Sequence, residues 1–186
     1  MIIAQRKRKE NIAEYLLYMW QVEDLIRANH FDMDSIRRTV ISHYDQPEEV
    51  KEEIARWYEE LIEMMRTESV MEKGHIQLNK NVIIVLADLH LRLLKSPNES
   101  VYKAAYYKVL PYIVQLRAKS GGEEMSEIET CFTALYGYIA LKLQHKEVSA
   151  ETLEGVKQIT LFLSLLAEKY KEDQDGELNL EEYNIL

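Results

Sequence analysis

Residues 75–95 read HIQLNKNVIIVLADLHLRLLK and carry the clearest pattern in the chain. Projected at about 100° per residue, the apolar side chains of this segment cover most of a helix circumference. They are Ile76, Val82, Ile83, Leu86, Leu89, Leu93 and Leu94. Only a narrow polar strip remains, formed by Asn81, Asp88, Arg92 and Lys95. The segment therefore predicts a helix at the buried centre of an all-helical domain.

Helical spacing of apolar residues continues on both sides of this segment, without the alternating pattern of strands. Seven helices are predicted, at about residues 5–29, 34–43, 47–73, 75–95, 96–119, 123–146 and 149–171. Because the helices are long and their connections short, the sequence favours an antiparallel bundle. We expect one all-α domain over residues 1–172, followed by an acidic tail over residues 173–186.

Several local signals predict where these helices begin and end. Ser96-Pro97-Asn98-Glu99 is typical of a capping box with proline at the first helical position, so it should open the fifth helix. Pro111 lies inside that helix and predicts a kink, because proline lacks a backbone donor. Gly74 suits the left-handed residue that follows the third helix, and Gly121-Gly122 predicts a flexible linker.

The composition is that of a folded domain in a reducing compartment. A chain of 186 residues, 47% apolar and 30% charged, can bury a core without disulfides or metal. Cys131 is the only cysteine, and no secretory signal is recognisable at the N-terminus. The longest uncharged apolar run, Val82 to Ala87, is far too short to cross a bilayer. These features predict a cytoplasmic protein without a membrane span.

The net charge of −9 argues against nucleic acid and anionic membranes as partners, since their phosphates repel an acidic protein. One cluster, Arg6-Lys7-Arg8-Lys9, is positively charged. It could contact RNA or a phosphate locally, but such a cluster more often keeps the start of a helix solvated. We therefore expect neither nucleic acid nor membrane binding.

Two polar residues fall in the middle of apolar helix faces and are candidates for a ligand-binding site. Glu23 shares a face with Leu16, Met19 and Ile26, and His90 lies among the apolar positions of residues 75–95. A buried carboxylate beside a buried imidazole could act as a general acid and base. Structural roles are the favoured alternative. Glu23 would then pair with Arg27, Arg37 or Arg38, and His90 would bond to a tyrosine or a backbone carbonyl.

Tyrosines are abundant, and four of the twelve lie on the predicted fifth helix. Tyrosine has an apolar body and a polar tip, so Tyr102, Tyr106, Tyr107 and Tyr112 could line a ligand groove or an interface. Packing at the core boundary is the commoner use of such residues. Tyr106 and Tyr112 are the members that we add to Glu23 and His90 as candidate ligand contacts.

The predicted third helix carries the best candidate for a protein-binding surface. Its apolar stripe consists of Ile54, Trp57, Leu61, Met64 and Met65. The stripe lies beside a strongly acidic face, and methionines adapt well to different partners. The alternative is that the stripe belongs to the core of the domain itself, and that alternative is favoured.

No metal, cofactor or catalytic motif is recognisable. The only Glu-x-x-His pair, Glu72 and His75, is interrupted by Gly74, and the chain has no cysteine and histidine cluster for zinc. The tail resembles part of a calcium loop at Asp173, Asp175 and Glu182, but Lys171 occupies the first ligand position and no exit helix can follow. We therefore expect no calcium, no other metal and no cofactor.

Residues 11–28, NIAEYLLYMWQVEDLIRA, resemble the opening of an uncharacterised family of small helical proteins from Bacteroidetes-type bacteria. Trp20, Glu23, Asp24 and Arg27 carry most of this resemblance. The resemblance implies a helical, cytoplasmic protein of bacterial origin. It implies no substrate, cofactor or catalytic residue.

Two functions remain open from the sequence. The favoured one is a protein-protein interaction protein, an adaptor or scaffold that binds a protein partner or associates with itself as a homodimer. The alternative is a small-molecule binding protein or enzyme with a buried polar site around Glu23 and His90. The missing motifs argue against an enzyme without ruling one out.

Overall fold

The computed structural model describes residues 2–119 and 125–180, and these residues form helices and connecting loops with no strand. The all-α prediction is therefore confirmed. Eight α-helices are present in the described residues: α1 (Ile2–Glu10), α2 (Ile12–Ala28), α3 (Met33–Thr39), α4 (Glu48–Thr67), α5 (Gln77–Lys95), α6 (Ser100–Lys119), α7 (Glu127–Leu143) and α8 (Ala150–Gln174). A short 3-10 helix, Ile41–His43, follows α3. None of the described helices is long and apolar enough to cross a membrane.

The chain divides into two compact units. Unit 1 consists of Met1–Glu10 and Glu14–Val82, and unit 2 consists of Asn11–Ala13 and Ile83–Leu186. Helix α5 contributes residues to both units. The single domain expected over residues 1–172 stays a prediction.

The predicted first helix is two helices, because the chain is interrupted at Asn11. The Asn11 side-chain oxygen accepts a hydrogen bond from the backbone N–H of Ala13 at 3.0 Å, so Asn11 caps the start of α2. Asn side chains compete with the helical hydrogen bonds in this way. The predicted second helix is α3 followed by the 3-10 helix, and Asp32 caps α3 through the N–H groups of Asp34 and Ser35.

Helix α4 ends at Thr67, well before the predicted end at Gly74. Ser69 takes a left-handed conformation with φ of 56°. The N–H of Ser69 bonds to the carbonyl of Arg66, and the N–H of Val70 bonds to the carbonyl of Met65. This is a Schellman termination, which glycine usually provides. Gly74 is left-handed as expected, with φ of 86°, but it belongs to the loop before α5.

In unit 2, α8 packs against both α6 and α7, and α6 also contacts α7. Ser149 caps α8 as expected, by accepting from the N–H of Thr152 at 3.2 Å. Pro111 lies inside α6, as predicted. Residues 121–124, which include the predicted Gly121-Gly122 linker and the predicted start of the sixth helix at Glu123, lie outside the described residues.

The predicted capping box at Ser96 is wrong, because α6 begins at Ser100. The Ser96 hydroxyl accepts from the N–H of Asn98 at 3.3 Å, which forms a turn instead of a cap. The first backbone bond of α6 runs from the N–H of Lys103 to the carbonyl of Glu99. Glu99 therefore occupies the capping position.

Helix α5 has one buried side and one exposed side. Val82, Ile83, Leu86, Leu89 and Leu93 are buried as predicted. The remaining large apolar residues of the helix centre are exposed: Ile84 by 59%, Val85 by 47% and Leu91 by 55%. The expectation that residues 75–95 are buried around most of the helix is therefore too strong.

Candidate functional site

The buried carboxylate of Glu23 organises a polar cluster in unit 1. Glu23 is fully buried, and its oxygens accept three hydrogen bonds. The donors are the Nδ1–H of His75 at 2.5 Å, the backbone N–H of Ile76 at 3.0 Å and the side-chain amide of Asn79 at 2.8 Å. We call Glu23, His75, Asn79 and Trp20 the Glu23 cluster, because the Trp20 and His75 rings stack at 4.1 Å between centroids.

The Glu23 cluster caps a helix from outside. Ile76 immediately precedes α5, and its N–H is one of the donors that α5 leaves without an internal partner. A negative charge at this position also interacts favourably with the positive end of the helix dipole. Glu23 on α2 therefore holds the start of α5 in place.

Arg27, one turn beyond Glu23, binds the loop that leads to α5. Its guanidinium donates to the carbonyls of Val70 at 3.0 Å, Met71 at 3.2 Å and Gly74 at 2.5 Å, and it pairs with Asp24 at 2.8 Å. Arg37, another partner considered for Glu23, pairs with Glu52. Glu23 thus belongs to a structural network of the kind that the sequence favoured, with histidine and amide donors in place of the expected arginines.

The second candidate, His90, lies in a separate cluster in unit 2. Its Nδ1 is 2.7 Å from the Tyr102 hydroxyl, and its Nε2 is 3.5 Å from a carboxylate oxygen of Glu127. The Nδ1 and the Tyr102 hydroxyl share a hydrogen bond, whereas the buried Nε2 has no hydrogen-bond partner among the described residues. The rings of Tyr106 and Phe162 lie 5.0 Å and 5.7 Å from the imidazole.

Burial shifts the protonation of this cluster toward neutral forms. It lowers the pKa of His90, and the Glu127 carboxylate opposes this effect only in part. Burial also raises the pKa of Tyr102, and it raises the pKa of the fully buried Cys131 thiol to about 12. A thiol with such a pKa is not a reactive nucleophile. The cluster is therefore a neutral, aromatic part of the core of unit 2.

The four candidate ligand contacts do not form one cluster. His90 and Tyr106 contact each other in unit 2, whereas Glu23 belongs to unit 1 and bonds to His75. Tyr112 lies against Gly155 of α8, where an added Cβ would be 3.0 Å from the tyrosine ring. His75 was considered in the sequence only as a metal ligand, and no local signal connects it with Glu23, 52 positions away.

Helices α6, α7 and α8 enclose an open groove of about 550 Å³, which we call the α6–α8 groove. Its walls are mainly apolar and are contributed by all three helices: Tyr112 and Leu116 on α6, Ala134, Gly137 and Leu141 on α7, and Val156 and Ile159 on α8. Nothing lies within 4 Å of the position that a Cβ on Gly137 would occupy. Its volume lies within the range of ligand-binding clefts.

The back half of α7, residues 133–143, is only partly buried. It reads TALYGYIALKL, with Lys142 as its only charged residue, and seven of its eleven residues are half-buried while Thr133, Gly137, Lys142 and Leu143 are exposed. Leu143 is 73% exposed. A helix that is apolar on all sides is normally surrounded by protein. Sequence reasoning did not select this segment, although its long run without an acidic residue was visible.

The predicted interaction surface on α4 is mostly core. Ile54, Leu61 and Met65 are at most 5% exposed. Trp57 is half-buried, and Met64 is 38% exposed. Three of the five predicted contacts are therefore unable to reach a partner, because they pack inside unit 1 as the favoured alternative stated.

The calcium-like tail begins as part of α8, which runs to Gln174. Asp173 pairs with Arg92 at 2.8 Å, and Asp175 is the C-terminal cap of the helix. Gly176 has φ of 73° and forms the expected turn. Glu182 lies outside the described residues. Within the described residues, no three histidine, cysteine or acidic side chains are grouped to hold a metal.

The chain belongs to the family described as a domain of unknown function (DUF4924), whose pattern matches residues 1–177. The resemblance to an uncharacterised family is therefore confirmed. No curated protein and no solved structure matches the chain.

Proposed function

We propose that this protein is a helical interaction protein of the bacterial cytosol, and that it binds a helix of another protein in the α6–α8 groove. The observation that supports this proposal best is the back half of α7. Eleven residues with a single charge lie half-buried or exposed beside a groove of about 550 Å³. Exposed apolar surfaces of this kind are typical of interaction sites.

The shape of the groove favours a helix as its occupant. Three helices line it, and amphipathic helices commonly place their apolar side into such a groove. Gly137 leaves open space on the α7 wall, so a partner backbone can approach closely there. Tyrosines at the edge, Tyr112 and Tyr138, offer apolar contact and a hydroxyl for hydrogen bonds.

The alternative, a small-molecule binding protein or enzyme around Glu23 and His90, has less support. The Glu23 carboxylate is fully engaged by three donors that fix the start of α5. His90 lies among aromatic rings, where burial lowers its pKa. Glu23 is explained by hydrogen bonding within unit 1. His90 is explained by aromatic packing and its bond to Tyr102 in unit 2, apart from its Nε2, which has no hydrogen bond to any residue that the structure describes.

Gly137 allows a direct test of the interaction proposal. Gly137→Leu places a large side chain in the open part of the groove, and Gly137→Ala is the control with a side chain too small to fill it. Both replacements favour the helix, since glycine inside a helix is destabilising by about 0.5–1 kcal/mol relative to alanine. Loss of partner binding in the leucine variant would therefore not be due to unfolding.

The measurement is affinity isolation of the tagged protein from its native cytosol, followed by quantitative mass spectrometry. We expect a protein partner at about one copy per chain with the unmodified protein and with Gly137→Ala, and at least about tenfold less with Gly137→Leu. Equal recovery with Gly137→Leu would contradict the proposed groove. Elution of the protein alone in every case would contradict the interaction function.

A further inference from the structure

Helix α6 and the back half of α7 differ in charge from the rest of the chain, whereas α8 carries more acidic than basic residues. Helix α6 contains four basic residues and no acidic residue: Lys103, Lys108, Arg117 and Lys119. From Thr130 to Lys146 no acidic residue occurs, and two lysines do. The whole chain carries a net charge of −9. A basic region therefore lies beside the apolar groove of an acidic protein.

Two of these lysines lie on the groove side of α6. Lys119 lines the groove, and Lys108 precedes Tyr112 by one helical turn on the same side of the helix. Both lysines are exposed, and no ion pair within the described residues engages either of them. One acid, Glu151 on the opposite wall, accepts a hydrogen bond from Gln115 at 3.2 Å. The α6 edge of the groove is thus the basic one.

One exposed apolar side chain extends this surface along α6. Val101, which is 72% exposed, lies two helical turns before Lys108 on the same side of the helix. Apolar residues bordered by lysines fit a partner whose apolar stripe is bordered by acids, because complementary charges steer and orient such complexes. The charges near the groove therefore restrict the chemistry of the partner.

We infer that the helix which occupies the α6–α8 groove is amphipathic and acidic along the edge that faces α6. This inference rests on the proposed function and names the chemistry of its partner. The apolar side of the partner contacts Leu116, Leu141 and Val156, and its carboxylates lie near Lys108 and Lys119.

Two other occupants fit the surface less well. In a twofold dimer whose axis passes beside the α6 edge, the lysines of one copy would meet the same lysines of the other copy, which is unfavourable. A bilayer surface is flat and cannot fill a concave groove, and an anionic bilayer also repels a chain with net charge −9. Neither objection applies to a separate acidic helix.

The probe is a displayed library of amphipathic helices with about three turns of apolar residues and with glutamate or lysine chosen at random at the flanking positions. Selection is made against the full chain. The test variant is Lys108→Glu with Lys119→Glu. The control, Lys103→Glu with Lys157→Glu, makes the same charge change at positions that do not line the groove. Binding of selected peptides is measured by fluorescence anisotropy.

We expect glutamate to be enriched at the flanking positions. Selected helices should bind the test variant at least about tenfold more weakly and the control less than about twofold more weakly, with affinity falling as salt is added. If helices bind and Gly137→Leu blocks them without any glutamate preference, the inference is overturned and the proposed function stands. If no helix binds, both are overturned.

Two additional measurements test the other occupants. If vesicles of phosphatidylcholine and phosphatidylglycerol bind the protein and the test variant does not, the surface contacts a membrane and the inference is wrong. The second measurement is sedimentation velocity of the protein alone. Self-association that the test variant abolishes would identify a second copy as the occupant and would equally overturn the inference.

Discussion

The Glu23 cluster and the back half of α7 are opposite cases of one physical rule. Glu23 is a charge in the interior of unit 1, and three donors compensate its burial. The back half of α7 is mainly apolar surface in unit 2, and the described residues bury it only in part. The Glu23 carboxylate finds its donors within the protein, although the Oδ1 of Asn79 in the same cluster has no partner in the described part of the chain, whereas the apolar surface of α7 stays partly open.

This difference changes where a function is to be sought. Buried polar residues on apolar helix faces attract attention in a sequence, but a buried carboxylate with a full set of donors is explained by structure alone. An apolar surface left open has no such internal explanation. The groove beside α7 is therefore the better functional candidate, and the two regions should respond differently to substitution.

The largest expected effect is at Glu23. Glu23→Gln removes the charge and leaves one acceptor oxygen where Glu23 has two. Its amide group then faces either His75, which must change tautomer to accept, or Ile76 and Asn79, whose buried donors lose their partner. We expect the free energy of unfolding to fall by about 3 kcal/mol, as when one member of a buried charged network is removed. Urea unfolding followed by circular dichroism measures it.

Asp24 provides the control for Glu23. Its side chain is 54% exposed, and it pairs with Arg27 at the surface. Asp24→Asn should change the free energy of unfolding by at most about 1 kcal/mol, as is usual for an exposed ion pair. Equal effects at the two positions would show that the Glu23 cluster is not a structural anchor and would return it to the list of functional sites.

The next effect concerns His90 and the pH dependence of stability. Burial lowers the pKa of His90 in the folded state, whereas in the unfolded chain it titrates near about 6.5. As the pH falls below this value, the unfolded chain takes up the proton first, so the free energy of unfolding decreases until the lower folded pKa is passed. Urea titrations at several pH values measure this loss.

His90→Gln isolates this contribution, because glutamine can still bond to Tyr102 but does not titrate. All other ionisable groups, including Glu127, are the same in both proteins. The decrease in stability below about pH 6.5 should therefore be smaller in the variant than in the unmodified protein. Identical pH dependence in the two proteins would mean that His90 is not held in its neutral form.

Periodicity predicted the helices well and their boundaries less well. Helices α5 to α8 lie close to the predicted segments, because each has a continuous apolar side and short connections. The errors at Asn11 and Ser69 have one cause. Residues other than glycine or proline interrupt the helix there, through a side-chain cap at Asn11 and a left-handed φ at Ser69. Neither residue type is a reliable stop signal.

The burial of Glu23 could be predicted from the sequence, but its hydrogen-bond partners could not. The position of Glu23 on an apolar face predicted that it would be buried, and it is. Its bond to His75 depends on the path of the loop before α5, which no periodicity describes. For α7 it is the degree of burial that could not be predicted. An apolar helix predicts burial, so the only partial burial of residues 133–143 becomes visible only in the structure.

The smallest expected effect is at the end of α7, where His145 takes a left-handed conformation with φ of 55°. The N–H of His145 bonds to the carbonyl of Lys142, and the N–H of Lys146 bonds to the carbonyl of Leu141. This is the same termination that Ser69 provides for α4. His145→Gly removes the steric cost of the left-handed residue, partly offset by the greater freedom of glycine in the unfolded chain, so we expect a gain of about 0.5 kcal/mol.

His145→Ala is the matched control, because alanine keeps the Cβ that makes a positive φ unfavourable. It should give no gain in urea unfolding. The back half of α7 has few buried contacts, so its hydrogen bonds should open locally more easily than those of the buried helices. Amide exchange in the last turn of α7 should therefore slow in the glycine variant and not in the alanine variant. A partner helix in the groove should slow the same amides further, because it supplies the burial that the chain itself leaves out.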